Sequence, residues 1–346
     1  MKRLIRISKV KIVSSLLASI FMIGMFAGCG NNQGIQSADS SQALDTASQT
    51  SVAQASETTT SKYPLTLTDA SNESVTIDSK PAKIVSLPLG TCEMLLSLVD
   101  KSTLAAMTHY VDDFNVSNVA DAAKGVGQRL DSNAEKIIAL QPDLVLIDSW
   151  SQPDFIKQLR DAKLTVFVLN VPSNVDQEKE MLKLLGNITD TEAKAEETIS
   201  WMDEKLKSVS DKLANLTEDK KLSILDYSEM NSTSGKGTNF DDVVTRAGLI
   251  NPVSKDGLEG WPQLSKEMVV KYNPDIISLP SWYYDSKVSF ETLSKSIKDD
   301  KALAEIKAVK NNKLISIPYN HLSTTSQYSV LAIEDMAKAA YPELFK

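Results

Sequence analysis

The residues best suited to chemistry in this 346-residue sequence come in pairs at one interval. Trp150 and Trp282 lie 132 positions apart, as do Arg129 and Trp261, and Glu135 and Glu267. Indole rings supply flat apolar walls with a single donor, a guanidinium supplies a planar cation, and carboxylates meet basic surfaces. His109-Tyr110 and Asn320-His321 each follow a short apolar run, Leu104 to Met107 and Leu314 to Ile317. If two halves of the chain face one another, these groups line one cleft of the kind a bulky small molecule needs.

Each group also has a plainer reading. A Trp beyond a strand can be a core residue, and Arg129 can simply cap a neighbouring carboxylate. The two histidines can meet a metal inside a bound chelate from opposite sides, or serve as ordinary hydrogen-bonding side chains. A bare metal ion needs several ligands in one place, and two histidines do not supply them. Enzyme signatures are missing. There is no Gly-x-Ser-x-Gly elbow and no Gly-Lys-Ser/Thr phosphate loop. Gly125-Val126-Gly127 lacks the third glycine of a dinucleotide fingerprint, and Ser234-Gly235-Lys236-Gly237 reads as a loop before a helix around Phe240 to Ala247. The expectation is a binding protein without a cofactor, not an enzyme.

What positions these groups is an internal repeat. Glu135 to Trp150 (EKIIALQPDLVLIDSW) aligns without a gap on Glu267 to Trp282 (EMVVKYNPDIISLPSW). Ser132-Asn133-Ala134-Glu135 reads as a capping box and Ser265-Lys266-Glu267 as a second helix start. Pro142 and Pro274 stop each helix by disfavouring the helical region at the residue before them. An apolar run then follows in each half, Leu144 to Ile147 and Ile276 to Leu279, as in strands buried on both faces. Ile84 to Leu87, Val166 to Leu169, Leu222 to Leu225 and Leu314 to Ile317 read the same way. The fold class expected is therefore α/β: two lobes with mainly parallel sheets. Between them, Thr189-Asp190-Thr191-Glu192 reads as a capping box. Ala195, Ile199, Met202, Leu206, Val209, Leu213 and Leu216 form one apolar helical stripe, so a backbone helix of about 40 Å should join the lobes.

The N-terminal segment carries an address. Lys2, Arg3, Arg6, Lys9 and Lys11 precede an apolar stretch, Ile12 to Phe26, too short to span a bilayer and suited to a secretion signal. It ends Phe26-Ala27-Gly28-Cys29, which resembles a lipobox with Phe in place of the usual Leu; Cys29 would carry the lipid. Gly30 to Lys62, rich in Ser, Thr and Gln, reads as a disordered tether reaching roughly 30 Å. Cys92 then stands alone, so no disulfide is available. The domain organisation expected is signal 1–28, lipidated Cys and tether 29–62, N-terminal lobe 63–188, interlobe helix 189–217 and C-terminal lobe 218–346. Removing the five cations of the signal takes the formal charge from −8 to −13, which argues against nucleic acid and against adhesion to anionic lipid. The expected location is the extracytoplasmic face of a bacterial membrane, held by lipid.

From Lys80 to Phe345 the chain resembles the class III substrate-binding proteins of ABC importers for iron–siderophore complexes, haem and cobalamin. The landmarks are Ala82-Lys83-Ile84-Val85-Ser86-Leu87, Glu135 with Leu140-Gln141-Pro142-Asp143, Asn239-Phe240-Asp241-Asp242 running to Ala247-Gly248, and Trp261-Pro262-Gln263 through Glu267 to Pro274-Asp275. The resemblance implies two lobes on one long helix with little hinge closure. It implies a monomer that partners a permease and its ATPase, with Glu135 and Glu267 docking on permease arginines. Gly127-Gln128-Arg129 is similar to a segment that gives an arginine to hydroxamate siderophores, which favours an iron–siderophore chelate. Trp150 and Trp261-Pro262-Gln263 are similar to the aromatic walls of cobalamin binders, although the Trp those members carry near position 129 is absent. Tyr283, Tyr284 or His321 would serve a haem. A surface sensor lipoprotein without transport is the alternative of another class.

Overall fold

The computed structural model describes residues 62–283 and 285–346. The expected signal, Cys29, nearly all of the tether and Tyr284 lie outside them. Two short strands open the described chain as an antiparallel hairpin, β1 (Leu65–Thr68) and β2 (Ser74–Ile77). The N-terminal lobe then alternates β3 (Ile84–Ser86), α1 (Leu89–Leu98), β4 (Leu104–Met107), β5 (Gln128–Arg129), α2 (Ala134–Leu140), β6 (Leu144–Asp148), α3 (Pro153–Asp161), β7 (Val166–Leu169) and α4 (Val175–Thr189). After α5 (Glu192–Leu213) the C-terminal lobe contains β8 (Ile224–Asp226), α6 (Asn239–Arg246), α7 (Pro252–Lys255), α8 (Lys266–Tyr272), β9 (Ile276–Leu279) and α9 (Phe290–Asp299). It closes with α10 (Lys307–Lys310), β10 (Leu314–Ser316), α11 (Tyr319–Leu322) and α12 (Ser329–Ala340). The first lobe has a parallel sheet in the order β5-β4-β3-β6-β7 and the second a parallel sheet in the order β10-β9-β8. The chain is α/β with two lobes, and β3, β7, β9 and most of β6 and β8 are buried on both faces, as their largely apolar runs require.

The repeat has a physical basis at each step. Asn133 caps α2 by accepting from the Lys136 N–H, and Ser265 caps α8 by accepting from the Met268 N–H. Gln141 and Asn273 end these helices in the left-handed region, φ 50° and 43°, each followed by its proline. Asp143 then accepts from the Ala82 and Lys83 N–H groups at 2.8 and 2.9 Å. Asp275 accepts from the Ser223 N–H and hydroxyl at 2.9 and 2.8 Å. Each aspartate thus pins the start of its own strand to the start of the neighbouring one, which sets Ile84 beside Leu144 and Ile224 beside Ile276.

Two helix starts differ from the sequence reading. The cap of α2 is Asn133, one residue after Ser132, because the Asn carboxamide reaches the third helical N–H while Glu135 points to solvent. The capping box expected at Thr189 is absent. Thr189 is the last residue of α4, its buried hydroxyl donating back to the Leu185 carbonyl at 2.7 Å. Asp190 turns the chain in the left-handed region and α5 begins at Glu192. The joining helix has 22 residues, or about 33 Å, shorter than the apolar stripe suggested. Leu216 keeps its place against the core from the loop beyond it.

The stripe itself is where it should be. Ala195, Ile199, Met202 and Val209 are buried, and α5 packs on α4 and α1 from one lobe and on α12 from the other. One continuous apolar core therefore runs through both lobes, from Met94 and Leu98 through Met202 to Val243 and Ile333. Each lobe adds a smaller outer core on the far face of its sheet. Two buried acids stitch the lobes inside this region. Glu93 on α1 accepts from the Asn118 backbone and side chain and from the hydroxyls of Thr324 and Ser326 in the other lobe. Glu178 on α4 accepts from the Ser329 hydroxyl on α12, and its second oxygen has no partner among the described residues. At the rim, Arg246 grips Asp242 on its own helix and Asp176 on α4, and Asp242 also takes the Val175 N–H at 3.0 Å. Cys92 is wholly buried and burial pushes its thiol up to about 11, so it stays an inert core side chain.

Candidate interlobe binding site

Parallel strands leave the groups at their carboxyl ends free to meet a ligand, and in both lobes those ends border the same cleft, of about 420 Å³. Trp150 reaches it from the end of β6. The carboxylate of Asp148 accepts from the Trp150 N–H at 3.0 Å and from the Ser151 hydroxyl at 3.2 Å, a tight Asx turn that throws the indole outward. Val171, Pro172 and Ser173, just after β7, complete that wall.

Trp261 faces the cleft from the second lobe on a braced loop. Backbone bonds tie Gly235 N–H to the Gly260 carbonyl at 2.7 Å, Lys236 N–H to the Leu258 carbonyl at 2.8 Å and Thr233 N–H to the Pro262 carbonyl at 3.1 Å. Gly235 is needed there, since a Cβ would meet the Leu258 carbonyl oxygen at 2.3 Å. Gly260, at φ +63°, supplies the turn before Trp261. The Ser-Gly-Lys-Gly stretch is thus a brace for an aromatic wall. Trp150 is 71 % exposed and Trp261 65 %. Indoles held out by ordered loops on opposite sides of one cleft give up packing energy in the free chain that a flat ligand would recover.

The floor is polar. Asp226 ends β8, and its Oδ2 accepts from the Ser234 hydroxyl at 2.6 Å. Burial pushes its carboxyl up to about 6, against the downward pull of Ser234 and the Tyr227 N–H. Ser228, Ser232 and Ser278 surround it, and Tyr319, after β10, closes the far side.

The other sequence candidates lie elsewhere or are already engaged. Arg129 is clamped on Asp112 through Nε and one terminal nitrogen at 2.7 and 2.8 Å and donates to the Val126 and Ala123 carbonyls; it braces the loop between β4 and β5. His109 pairs with Asp131 and stacks at 4.1 Å on Tyr110. His321 turns away to Asp335 on α12, 2.7 Å from its Nδ1. Trp282 is not among the residues lining the cleft but packs on Tyr319, which is, ring centroids 5.2 Å apart, so the two indoles on the lining are Trp150 and Trp261. Asp226 and Tyr319 were not among the sequence candidates. Both follow apolar runs that read as strands, and the strand-end rule that selected Trp150 would have found them. Glu135 and Glu267 are exposed in the first turns of α2 and α8, and neither forms an ion pair among the described residues. Among the described residues no cluster of three or more His, Cys, Asp or Glu side chains could hold a metal ion, and no helix is long and apolar enough to cross a membrane.

Comparison with known proteins agrees with this architecture. A family profile described as periplasmic binding protein matches residues 84–320. An uncharacterized ABC transporter substrate-binding lipoprotein of Bacillus subtilis, YvrC, is 27 % identical over 339 residues, covering 96 % of each chain. A cobalamin-binding protein of Halobacterium salinarum is 24 % identical over 80 % of this chain and 73 % of its own length. Among solved structures, a possible iron-binding, periplasmic solute-binding protein of Staphylococcus epidermidis superposes with a TM-score of 0.65 at 24 % identity, covering 76 % of this chain and all of the other.

Proposed function

The chain belongs to the periplasmic binding protein family, a family of binding proteins and not of enzymes. From that premise we propose that it captures a bulky metal–organic complex in the interlobe cleft and delivers it to the permease of an ABC importer. The observation that carries this reading is the pair of exposed indoles, Trp150 and Trp261, contributed by different lobes to one cleft at the strand ends. Flat walls of this kind suit a corrin ring, and the similarity to a cobalamin-binding protein over most of the chain supports a corrinoid as first choice. A ferric siderophore is the second reading. It draws on the resemblance of Gly127-Gln128-Arg129 to a hydroxamate-binding segment, but the arginine expected to serve it, Arg129, is saturated by Asp112. Lipidation at Cys29 after removal of residues 1–28 would keep the carrier at the membrane, in keeping with the lipoprotein name of the B. subtilis relative.

The test is direct. The full chain, purified in detergent, should show quenching of Trp fluorescence by cyanocobalamin at micromolar concentration or below. Quenching by a ferric hydroxamate alone would move the cargo to the second reading, and no response to corrinoid, ferric hydroxamate or haem would remove the cleft from consideration. Delivery is a separate claim, and Glu135 and Glu267 carry it. They occupy the same position in the two repeat helices, exposed and without an ion-pair partner among the described residues, so they can orient the chain on a basic permease surface. Reversing both charges to Lys should abolish uptake in cells and leave cargo affinity within about twofold, since rim charges act on encounter and register. A matching loss of affinity would count against docking.

A further inference from the structure

The cleft carries a charge signature that narrows its cargo beyond size and flatness. Among the described residues that line it there is no Lys, Arg or His, while Asp226 lies on its floor within a group of serine hydroxyls. The basic side chains expected near it are engaged elsewhere: Arg129 with Asp112, His109 with Asp131 and His321 with Asp335. The chain as a whole is acidic, with a formal charge of −8. An anion entering this space would lose hydration and meet an unpaired carboxylate with no cation to offset it.

We infer, building on the reading of the cleft as a metal-complex site, that it selects by charge. It takes neutral or cationic complexes that offer N–H or O–H donors to Asp226, and it rejects complexes that present carboxylates or oxyanions at that end. Asp226 is acceptor-only when ionised, and its Oδ2 is already shared with Ser234, so a ligand amide or ammonium can complete its hydrogen bonding and a ligand carboxylate cannot. Rejection comes from an unpaired charge in the site, which is how specificity is obtained without extra affinity for the right partner. Peripheral carboxamides of a corrinoid, or the pendant amine of a hydroxamate chelate, have the required chemistry. Haem propionates and free oxyanions do not.

Two ligand series test this on the full chain in detergent, with Trp fluorescence as the readout. The first compares cyanocobalamin with a cyanocobalamin whose peripheral amides have been hydrolysed to carboxylates. The second compares ferric desferrioxamine B with its N-succinyl derivative, which replaces an amine by a carboxylate on the same chelate. In whichever series binds, the carboxylate form should bind at least about tenfold more weakly, the discrimination worth about 1.4 kcal/mol. The near-isosteric Asp226→Asn should shrink that ratio to about threefold or less. Equal or tighter binding of the carboxylate form by the unmodified chain overturns the inference, whether or not the variant folds. An unchanged ratio in a folded Asp226→Asn chain overturns the role of that residue. Silence from both series instead sinks the cleft reading on which the inference rests.

Discussion

A chain carrying W150A and W261A together is expected to bind its cargo about a thousandfold more weakly than the parent. Removing a central aromatic anchor from an interface typically costs about 2 kcal/mol, or roughly thirtyfold in Kd, and these two rings stand on opposite walls. They sit on loops from different lobes, so their losses should add. The folded state should hardly notice, because both side chains are mostly exposed and exposed substitutions away from core or caps usually shift stability by less than about 0.5 kcal/mol. Titration of a fluorescent or coloured cargo by ultrafiltration, alongside a thermal melt, separates the two effects. A double variant with unchanged affinity and melting temperature would leave the cleft without its principal walls.

The second large effect concerns stability. Glu93→Ala should lower the unfolding free energy by about 4 kcal/mol, because it removes the acceptor of four donors, the Asn118 N–H and carboxamide and the Thr324 and Ser326 hydroxyls, in a buried interlobe seam. The melting temperature should fall by on the order of 10 °C, with weaker loss for Glu93→Gln. Glu178 behaves differently. It is wholly buried with one hydroxyl partner, so burial above all, then the nearby Asp242, holds its carboxyl well above the ordinary value, against the pull of Ser329 and Arg246. Such a group is neutral in both states at acid pH. As pH rises past the ordinary carboxyl range, the unfolded chain releases the proton while the folded chain must keep it, so stability falls until the folded carboxyl itself ionises. Glu178→Gln, which cannot ionise, should therefore gain on the parent as pH rises above the ordinary carboxyl range, until the folded carboxyl ionises, in paired denaturant titrations. A constant difference above that range would mean that Glu178 ionises normally in the fold.

Much of the architecture was legible because it rests on short-range rules. The stop at Pro142 and Pro274, the apolar runs that follow, and the stripe from Ala195 to Val209 depend on backbone sterics and burial, which repeat wherever the same residues recur. The start of α5 was not, because Thr189 and Thr191 both look like caps. The choice between them was made by α4 running on through Thr189, whose buried hydroxyl bonds back to the Leu185 carbonyl of that same helix. The cleft divides the same way. Trp150 and Trp261 could be named from their places beyond strand and repeat. The fate of Arg129 could not, because its partner Asp112 comes from a loop 17 residues away whose path no local rule sets. Equal spacing in the two halves also does not put Trp282 on the cleft lining beside Trp150. The second lobe has a three-stranded sheet against five in the first, so matched positions do not face matched surroundings.

The apolar core shared by α1, α4, α5, α6 and α12 has a consequence for how the molecule comes apart. Neither lobe owns the surface that buries its inner face, so neither is a complete folding unit. Calorimetry should give one transition whose van't Hoff and measured enthalpies agree, not two. Amides in β3 and β9 should then exchange with solvent only through the same global opening, with one common free energy. Limited proteolysis in the loop after α5 should destroy both halves together and release no resistant fragment. A binding protein built this way should present its two walls at a nearly fixed separation, so that small-angle scattering with and without cargo should superpose.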